Sequence, residues 1–320
     1  MTGWFRAALL LPIYLALTAA LIPVQALLVA LKLSAANRFP RFYHRLTCRL
    51  MGFDIDIVGT PVRDHPALFI SNHTSYLDIS ILGAVINGSF IAKSEVADWP
   101  LYGLLAKLQR TVFVQRQRSR TAEQADEVAK RLEAGDRLIL FPEGTSNDGL
   151  RVLPFRTAFF SVADRRPRGR ALVVQPVSLA YTHVRGMPMG RRLRPAYAWY
   201  GDMDLAGHLW NALTLGPARV ELIFHPPVTI DDFRDRKALA RHCEQAVSAG
   251  VAQALAGRST AALALIGQAL AQRGPAVEGG AIEVAEEDEP LDPQEIDAAD
   301  PDEIAAHAAA AGPGPEAGVR

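Results

Sequence analysis

Ala67-Leu68-Phe69-Ile70-Ser71-Asn72-His73-Thr74-Ser75-Tyr76-Leu77-Asp78 reads as a short apolar strand that runs into a polar turn. About seventy residues later Leu138-Ile139-Leu140-Phe141-Pro142-Glu143-Gly144-Thr145-Ser146 repeats the arrangement, apolar run first and chemistry-bearing turn second. Strand ends of α/β domains are where catalytic loops collect. The His-x4-Asp spacing adds a geometric condition. On one continuous helix five residues advance about 500°, which would point His73 and Asp78 apart. The two meet if His73 occupies the turn after the strand and Asp78 the first turn of the following helix. Asp78 then holds the imidazole in one tautomer, and His73 is a candidate general base.

Further strand-like runs occur at 53–58, 89–92, 111–115, 172–180 and 220–224. Helical patterns separate several of them. The clearest is 119–134, with Ser119 or Thr121 as cap and Gly135 as terminator. Strands alternating with helices predict an α/β domain with a mixed, mainly parallel central sheet flanked by helices.

Residues 7–31 carry no charge and include Pro12 and Pro23. As a helix they would be about 37 Å long against roughly 30 Å of hydrocarbon, enough to span; the prolines also permit a hairpin that dips into one leaflet. Val24-Gln25-Ala26 resembles a signal cleavage site, but the long apolar run and the basic flank favour an anchor. Lys32, Arg38, Arg41, Arg45 and Arg49 follow the run and no acid occurs before Asp54, which places the C-terminal side in the cytoplasm (at the inner membrane in a bacterium). Residues 37–52 mix these arginines with Phe39, Phe42, Tyr43, Leu46, Leu50 and Met51 at helical spacing, an interfacial amphipathic pattern.

Net charge is zero over 320 residues, but residues 1–259 hold 32 basic against 21 acidic side chains and residues 260–320 hold 2 against 13. A basic body suits an anionic membrane surface or an acidic substrate. Nucleic acid is not supported, because zinc-finger spacing and RNA-binding aromatic motifs are missing from the sequence. The chain divides into an anchor at 1–36, a catalytic body at 37–259, and an Ala-rich stub with a disordered acidic tail at 260–320. Cys48 and Cys243 are too few for a disulfide framework, and the scattered histidines have no metal-ligand spacing.

Asn72-His73-x-Ser75-x-x-Asp78 followed by Phe141-Pro142-Glu143-Gly144-Thr145 resembles the glycerolipid acyltransferases that make phosphatidic acid from lysophosphatidic acid, over residues 40–230. The resemblance implies a membrane-bound O-acyltransferase that needs no cofactor and no metal. Its donor is acyl-CoA or acyl carrier protein, and its acceptor the free hydroxyl of a lysolipid, first of all 1-acylglycerol 3-phosphate. It also implies that His73 and Asp78 are catalytic, that Arg116, Glu143, Gly144 and Thr145 bind the acceptor, and that Pro176 shapes the acyl-donor site. Members of the family often carry a membrane-embedded helical element at the N-terminus.

One departure bears on the acceptor. Many members have Arg after Glu-Gly-Thr, whereas position 146 is Ser, with Arg151 and Arg156 as substitutes. That keeps a lyso-aminolipid such as lyso-ornithine lipid open as the acceptor. A His-activated thioesterase and a non-catalytic lipid-binding protein are the remaining alternatives. A guanidinium at position 116 would grip an acceptor phosphate bidentately. Arg116→Ala is therefore expected to raise the KM for a phosphorylated acceptor with less change in kcat; an unchanged KM in steady-state kinetics removes Arg116 from the acceptor site.

Overall fold

The computed structural model describes residues 3–114 and 121–258, without the side chains of 121–126. Arg116 and the acidic tail lie outside the described residues.

Burial on both faces makes β2 (Ala67–Ser71) the organising strand, since all five of its residues are buried. It lies between β5 (Arg137–Leu140) and β6 (Val173–Val184), parallel to both. The sheet continues through β3 (Ser89–Lys93) to β4 (Val112–Val114) on one side, and through β8 (Ala218–Phe224) to β1 (Phe53–Val58) on the other. Among the named strands of the described residues, the β6–β8 pair and the two-residue β7 (Met187–Pro188), which pairs with β6, run antiparallel. The sheet is thus mixed and mainly parallel, and the run expected to stop at residue 180 continues to Val184.

Alternation along β2 divides the core. Phe69 joins one apolar cluster with Leu77, Ile81 and Leu82 of α3 (Leu77–Val85) and Met51 of α2 (Phe39–Met51). Leu68 and Ile70 join another with Val128 and Leu132 of α5 (Thr121–Glu133) and Leu239, Cys243 and Val247 of α7 (Arg236–Leu255). A large aliphatic or aromatic side chain buried in this way contributes about 1.5–3 kcal/mol.

The N-terminal apolar segment forms α1 (Gly3–Ala30), a single helix rather than a hairpin. By length and composition it is apolar enough to cross a membrane. It is also tied to the body near both ends. Arg6 donates to the carbonyls of Leu213 and Met51, and Gln25 Nε2 donates to those of Ala36 (3.0 Å) and Leu108 (2.8 Å). Its outer side exposes Trp4, Phe5, Leu9, Ile13 and Leu27.

α2 departs from the expected amphipathic division. Its buried residues are Pro40, His44, Thr47, Cys48 and Met51, while Phe42 is exposed. Arg41 and Arg45 are not merely solvated, because both donate to the Ala84 carbonyl at the C-terminal end of α3 (3.3 and 3.0 Å). The helices pack closely because α3 offers Gly83 to the His44 ring; a Cβ there would lie 2.3 Å from His44 Cδ2. Gly83→Ala is expected to force the helices apart and destabilise the protein by about 1–3 kcal/mol, visible as a lowered Tm in detergent; an unchanged Tm shows that the ring relocates freely.

Candidate active site

β2 and β5 end side by side, and the two motifs leave the sheet there. Asn72 carries the pairing one residue past β2. Its Nδ2 donates to the Leu179 carbonyl (2.9 Å) and its Oδ1 accepts from the Leu179 amide (2.8 Å), as a strand backbone would. The chain can then turn, and His73 follows.

Asp78 lies in the first turn of α3 and is fully buried. Its Oδ2 accepts from His73 Nδ1 at 2.9 Å and from the amides of Thr74 and Ser75 at 2.7 and 2.8 Å. Its Oδ1 accepts from the Tyr181 hydroxyl at 2.9 Å. Burial and the neighbouring carboxylate hold the Tyr181 phenol well above its ordinary pKa, so it remains a donor. A register irregularity between Tyr181 and His183 marks this point of β6, a device that re-aims strand side chains near sites. With Nδ1 committed to Asp78, Nε2 is the ring atom left for substrate. The His73 side chain is 21% exposed while Asp78 is sealed. The ring also stacks on Phe141 at 4.0 Å, and Phe141 on Phe90 at 6.1 Å.

Glu143 has a different position from the one expected of an acceptor ligand. It is buried, and both oxygens serve the protein: Oε1 accepts from the His73 amide (2.8 Å), Oε2 from Asn147 Nδ2 (2.6 Å) and the Leu153 amide (3.0 Å). The carboxylate braces the second motif against the first, and the Asn147 amide returns the tie to the His73 carbonyl at 3.2 Å. Burial pushes the Glu143 carboxyl up to about 7 against the opposing pull of those donors.

The other expected contacts divide. Gly144 adopts φ +71° and leaves room for Arg156, whose Nε would lie 3.3 Å from a Cβ. Thr145 is exposed and bonds only the neighbouring Ser146 carbonyl (3.4 Å) among the described residues. Ser146 donates to the Trp199 carbonyl, and the Trp199 amide bonds the Thr74 carbonyl at 3.0 Å. Trp199 therefore belongs to the wall of the site, edge-on to Tyr76 and Trp99. The helix after it, α6 (Leu205–Leu215), is capped by Asp204 rather than Asp202. Pro176 is buried within β6 in register with Ile70. Tyr181 and Asn147 were missed in the sequence. The first sits in an apolar run that reads as core, and the second has no motif of its own. No group of three or more potential metal ligands occurs among the described residues.

The structure also holds an apolar pocket of about 160 Å³. It lies among α1, α2, α3 and α4 (Tyr102–Leu108), with Tyr76, Leu77 and Phe90 at the His73 end and Leu108 and Gln109 among its other walls.

The raised Glu143 pKa fixes a pH dependence. An unfolded glutamate loses its proton near 4.5, whereas the folded one keeps it to about 7. The folded state binds more protons in that window, so the contribution is present below it and is lost as pH rises through it. Glu143→Gln is expected to flatten the fall in stability between pH 4.5 and 7, read as Tm against pH; an unaltered slope would assign the fall to other groups.

Known proteins resemble this chain over most of its length. The family model described as Acyltransferase matches residues 54–180. The chain is 50% identical to a lyso-ornithine lipid O-acyltransferase of Brucella abortus over 262 residues, which covers 81% of this chain and 98% of that protein. It is 39% identical to the enzyme of the same name in Rhizobium meliloti, covering 82% and 91% respectively. It is 34% identical to a 1-acyl-sn-glycerol-3-phosphate acyltransferase of Neisseria gonorrhoeae, covering 63% and 77%. The crystal structure of the 1-acyl-sn-glycerophosphate acyltransferase of Thermotoga maritima superposes with a TM-score of 0.55 at 20% identity, over 78% of this chain and 97% of that one, and shares the fold. With relatives at 50% and 39% identity matched over 98% and 91% of their own length, the chain belongs to the acyltransferase family.

Proposed function

We propose that this protein is a membrane-bound lysolipid O-acyltransferase whose acceptor is lyso-ornithine lipid. The observation that carries the chemistry is the 2.9 Å bond between His73 Nδ1 and the sealed Asp78. His73 Nε2 takes the proton from the lysolipid hydroxyl, and the oxygen attacks the thioester carbonyl. The C–S bond then breaks, and the imidazolium, stabilised by Asp78, returns its proton to the departing thiolate. A positioned base of this kind contributes about 10²- to 10⁴-fold in rate. Glu143 acts as a positioning residue that fixes the His73 backbone. The donor is acyl-CoA or acyl carrier protein, and the apolar pocket beside His73 is the place for an acyl chain.

Two features favour the ornithine acceptor. The Brucella abortus relative carries that activity in its name and aligns over 98% of its length. Position 146, where a family arginine would meet phosphate, is a serine whose hydroxyl is committed to Trp199. An ornithine head group carries no phosphate. The second reading, phosphatidic acid from 1-acylglycerol 3-phosphate, is favoured by the exposed Arg156 beside Gly144, a guanidinium suited to phosphate.

The exposed apolar side of α1 faces lipid in this reading, and the basic flank keeps the catalytic body at the cytoplasmic surface. His73→Ala is expected to abolish acyl transfer, with folding and membrane binding retained. Purified protein in lipid vesicles is assayed with lyso-ornithine lipid and 1-acylglycerol 3-phosphate in parallel. Near-normal activity of the variant defeats the mechanism, and a preference for the phosphorylated acceptor defeats the head-group assignment.

A further inference from the structure

A second pocket, polar and of about 250 Å³, opens at the other edge of the sheet. Ser89 and Arg137, which begin β3 and β5, are in its wall. Arg137 is level with Ala67, the first residue of β2, whereas His73 follows the last. The length of β2, roughly 16 Å at about 3.3 Å per residue, therefore separates this pocket from the His73 turn.

Its lining is rich in cations. Ser34, Asn37 and Arg38 come from the chain between α1 and α2, and Arg110, Asp136 and Arg137 from the ends of the body's elements. Arg110 donates from Nη1 to Asn37 Oδ1 and from Nη2 to Asp136 Oδ2 at 3.3 Å. Arg131 donates to the same Asp136 oxygen, so two guanidiniums already share the carboxylate of this wall. Arg137 gives Nε to the Asn87 carbonyl (3.0 Å) and Nη1 to the Arg63 carbonyl, neither of which carries a charge. The exposed Arg38 side chain has no hydrogen bond or ion pair among the described residues. Three lining arginines thus face one acid that a fourth arginine also holds. The surroundings add to the excess. Burial lowers the pKa of Arg110, and repulsion from Arg131 lowers it further against the pull of Asp136. Burial likewise lowers that of Arg41, helped by repulsion from Arg45, Arg63 and Arg137.

An anion would complete this set, and guanidiniums suit a phosphate above all. The neighbouring surface identifies its source. Leu31 and Leu33, on either side of Lys32 and just before Ser34, are 58% and 47% exposed. Exposed leucines beside cations, directly after the apolar α1, form a surface for acyl chains at one level and head-group phosphates at the next. A water-soluble phosphate would have no use for the leucines.

We propose that this pocket receives the phosphate-bearing head group of an anionic membrane phospholipid, with Arg38, Arg110 and Arg137 around the phosphate and Leu31 and Leu33 against the lipid's chains. The site is separate from the one that takes the reacting lipid. The proposal rests on the membrane-bound reading given above, in which α1 lies in lipid.

Protein in neutral detergent is titrated at physiological salt with phosphatidylglycerol, with phosphatidylcholine of the same chains, and with inorganic phosphate. Tm is the readout, because a ligand of the folded state raises it. Phosphatidylglycerol is expected to raise Tm saturably and the other two to leave it. Arg38→Gln is expected to weaken the apparent affinity for phosphatidylglycerol about tenfold, the range of a lost hydrogen bond to a charged group, and Arg38→Lys to weaken it less. Arg49→Gln removes the same charge from an exposed position of α2 outside the pocket and is expected to change nothing.

Equal weakening by the two glutamine variants, or an equal response to phosphatidylcholine, overturns the proposal. Stabilisation by inorganic phosphate alone makes this a free-anion site. A raised KM for acyl carrier protein in Arg38→Gln, with the lipid titration unchanged, makes it a protein-docking surface. Either result overturns the lipid assignment. Wild-type protein that floats with vesicles but shows no head-group dependence defeats this proposal alone. Protein that floats with no vesicle defeats the membrane-bound reading as well.

Discussion

The site depends on one sealed carboxylate. Asp78 is fully buried and accepts four hydrogen bonds, from His73 Nδ1, the amides of Thr74 and Ser75, and the Tyr181 hydroxyl. A lone carboxylate in a protein interior is strongly disfavoured, so burial here is possible only because every donor is in place. The same bonds define the local fold. They bend the chain at the end of β2, start α3, and join both to β6. The geometry of the candidate site and the local structure are one hydrogen-bond set, which is why a five-residue spacing that cannot close on a helix closes here across a turn.

Glu143 extends this logic to the second motif. Its oxygens take the His73 amide on one side and Asn147 and the Leu153 amide on the other. The imidazole is therefore held by Asp78 through the ring and by Glu143 through the backbone. Stacking on Phe141, the residue that opens the Phe-Pro-Glu-Gly motif, fixes the ring plane as well. The second motif thus braces the first, and Gly144 lets Arg156 approach the same turn.

How much could be read in the sequence follows from these contacts. The strands were legible because burial on both faces makes β2 and β5 continuous apolar runs, and the His73–Asp78 pair because its spacing admits one geometry. Tyr181 was not legible, since a tyrosine inside an apolar strand looks like core and its partner is 103 residues away in the chain. For Glu143 the sequence shows a carboxylate at a strand end but not the three protein donors that converge on it. In α2 the sequence shows a charged and aromatic helix but not which side docks: Gly83 on α3 lets the helix turn His44 and Thr47 inward, and Arg41 and Arg45 donate to the Ala84 carbonyl.

The contrast between two buried polar sets is the most informative feature of the interior. Around His73 the carboxylates and amides are matched donor to acceptor, as expected of a preorganised site that must not reorganise during reaction. Between α1 and α2, Gln25 and His44 each use one polar atom on the protein and leave another unpaired among the described residues, and Thr47 leaves its hydroxyl so. A core selected for stability alone would replace such atoms with apolar ones at a gain.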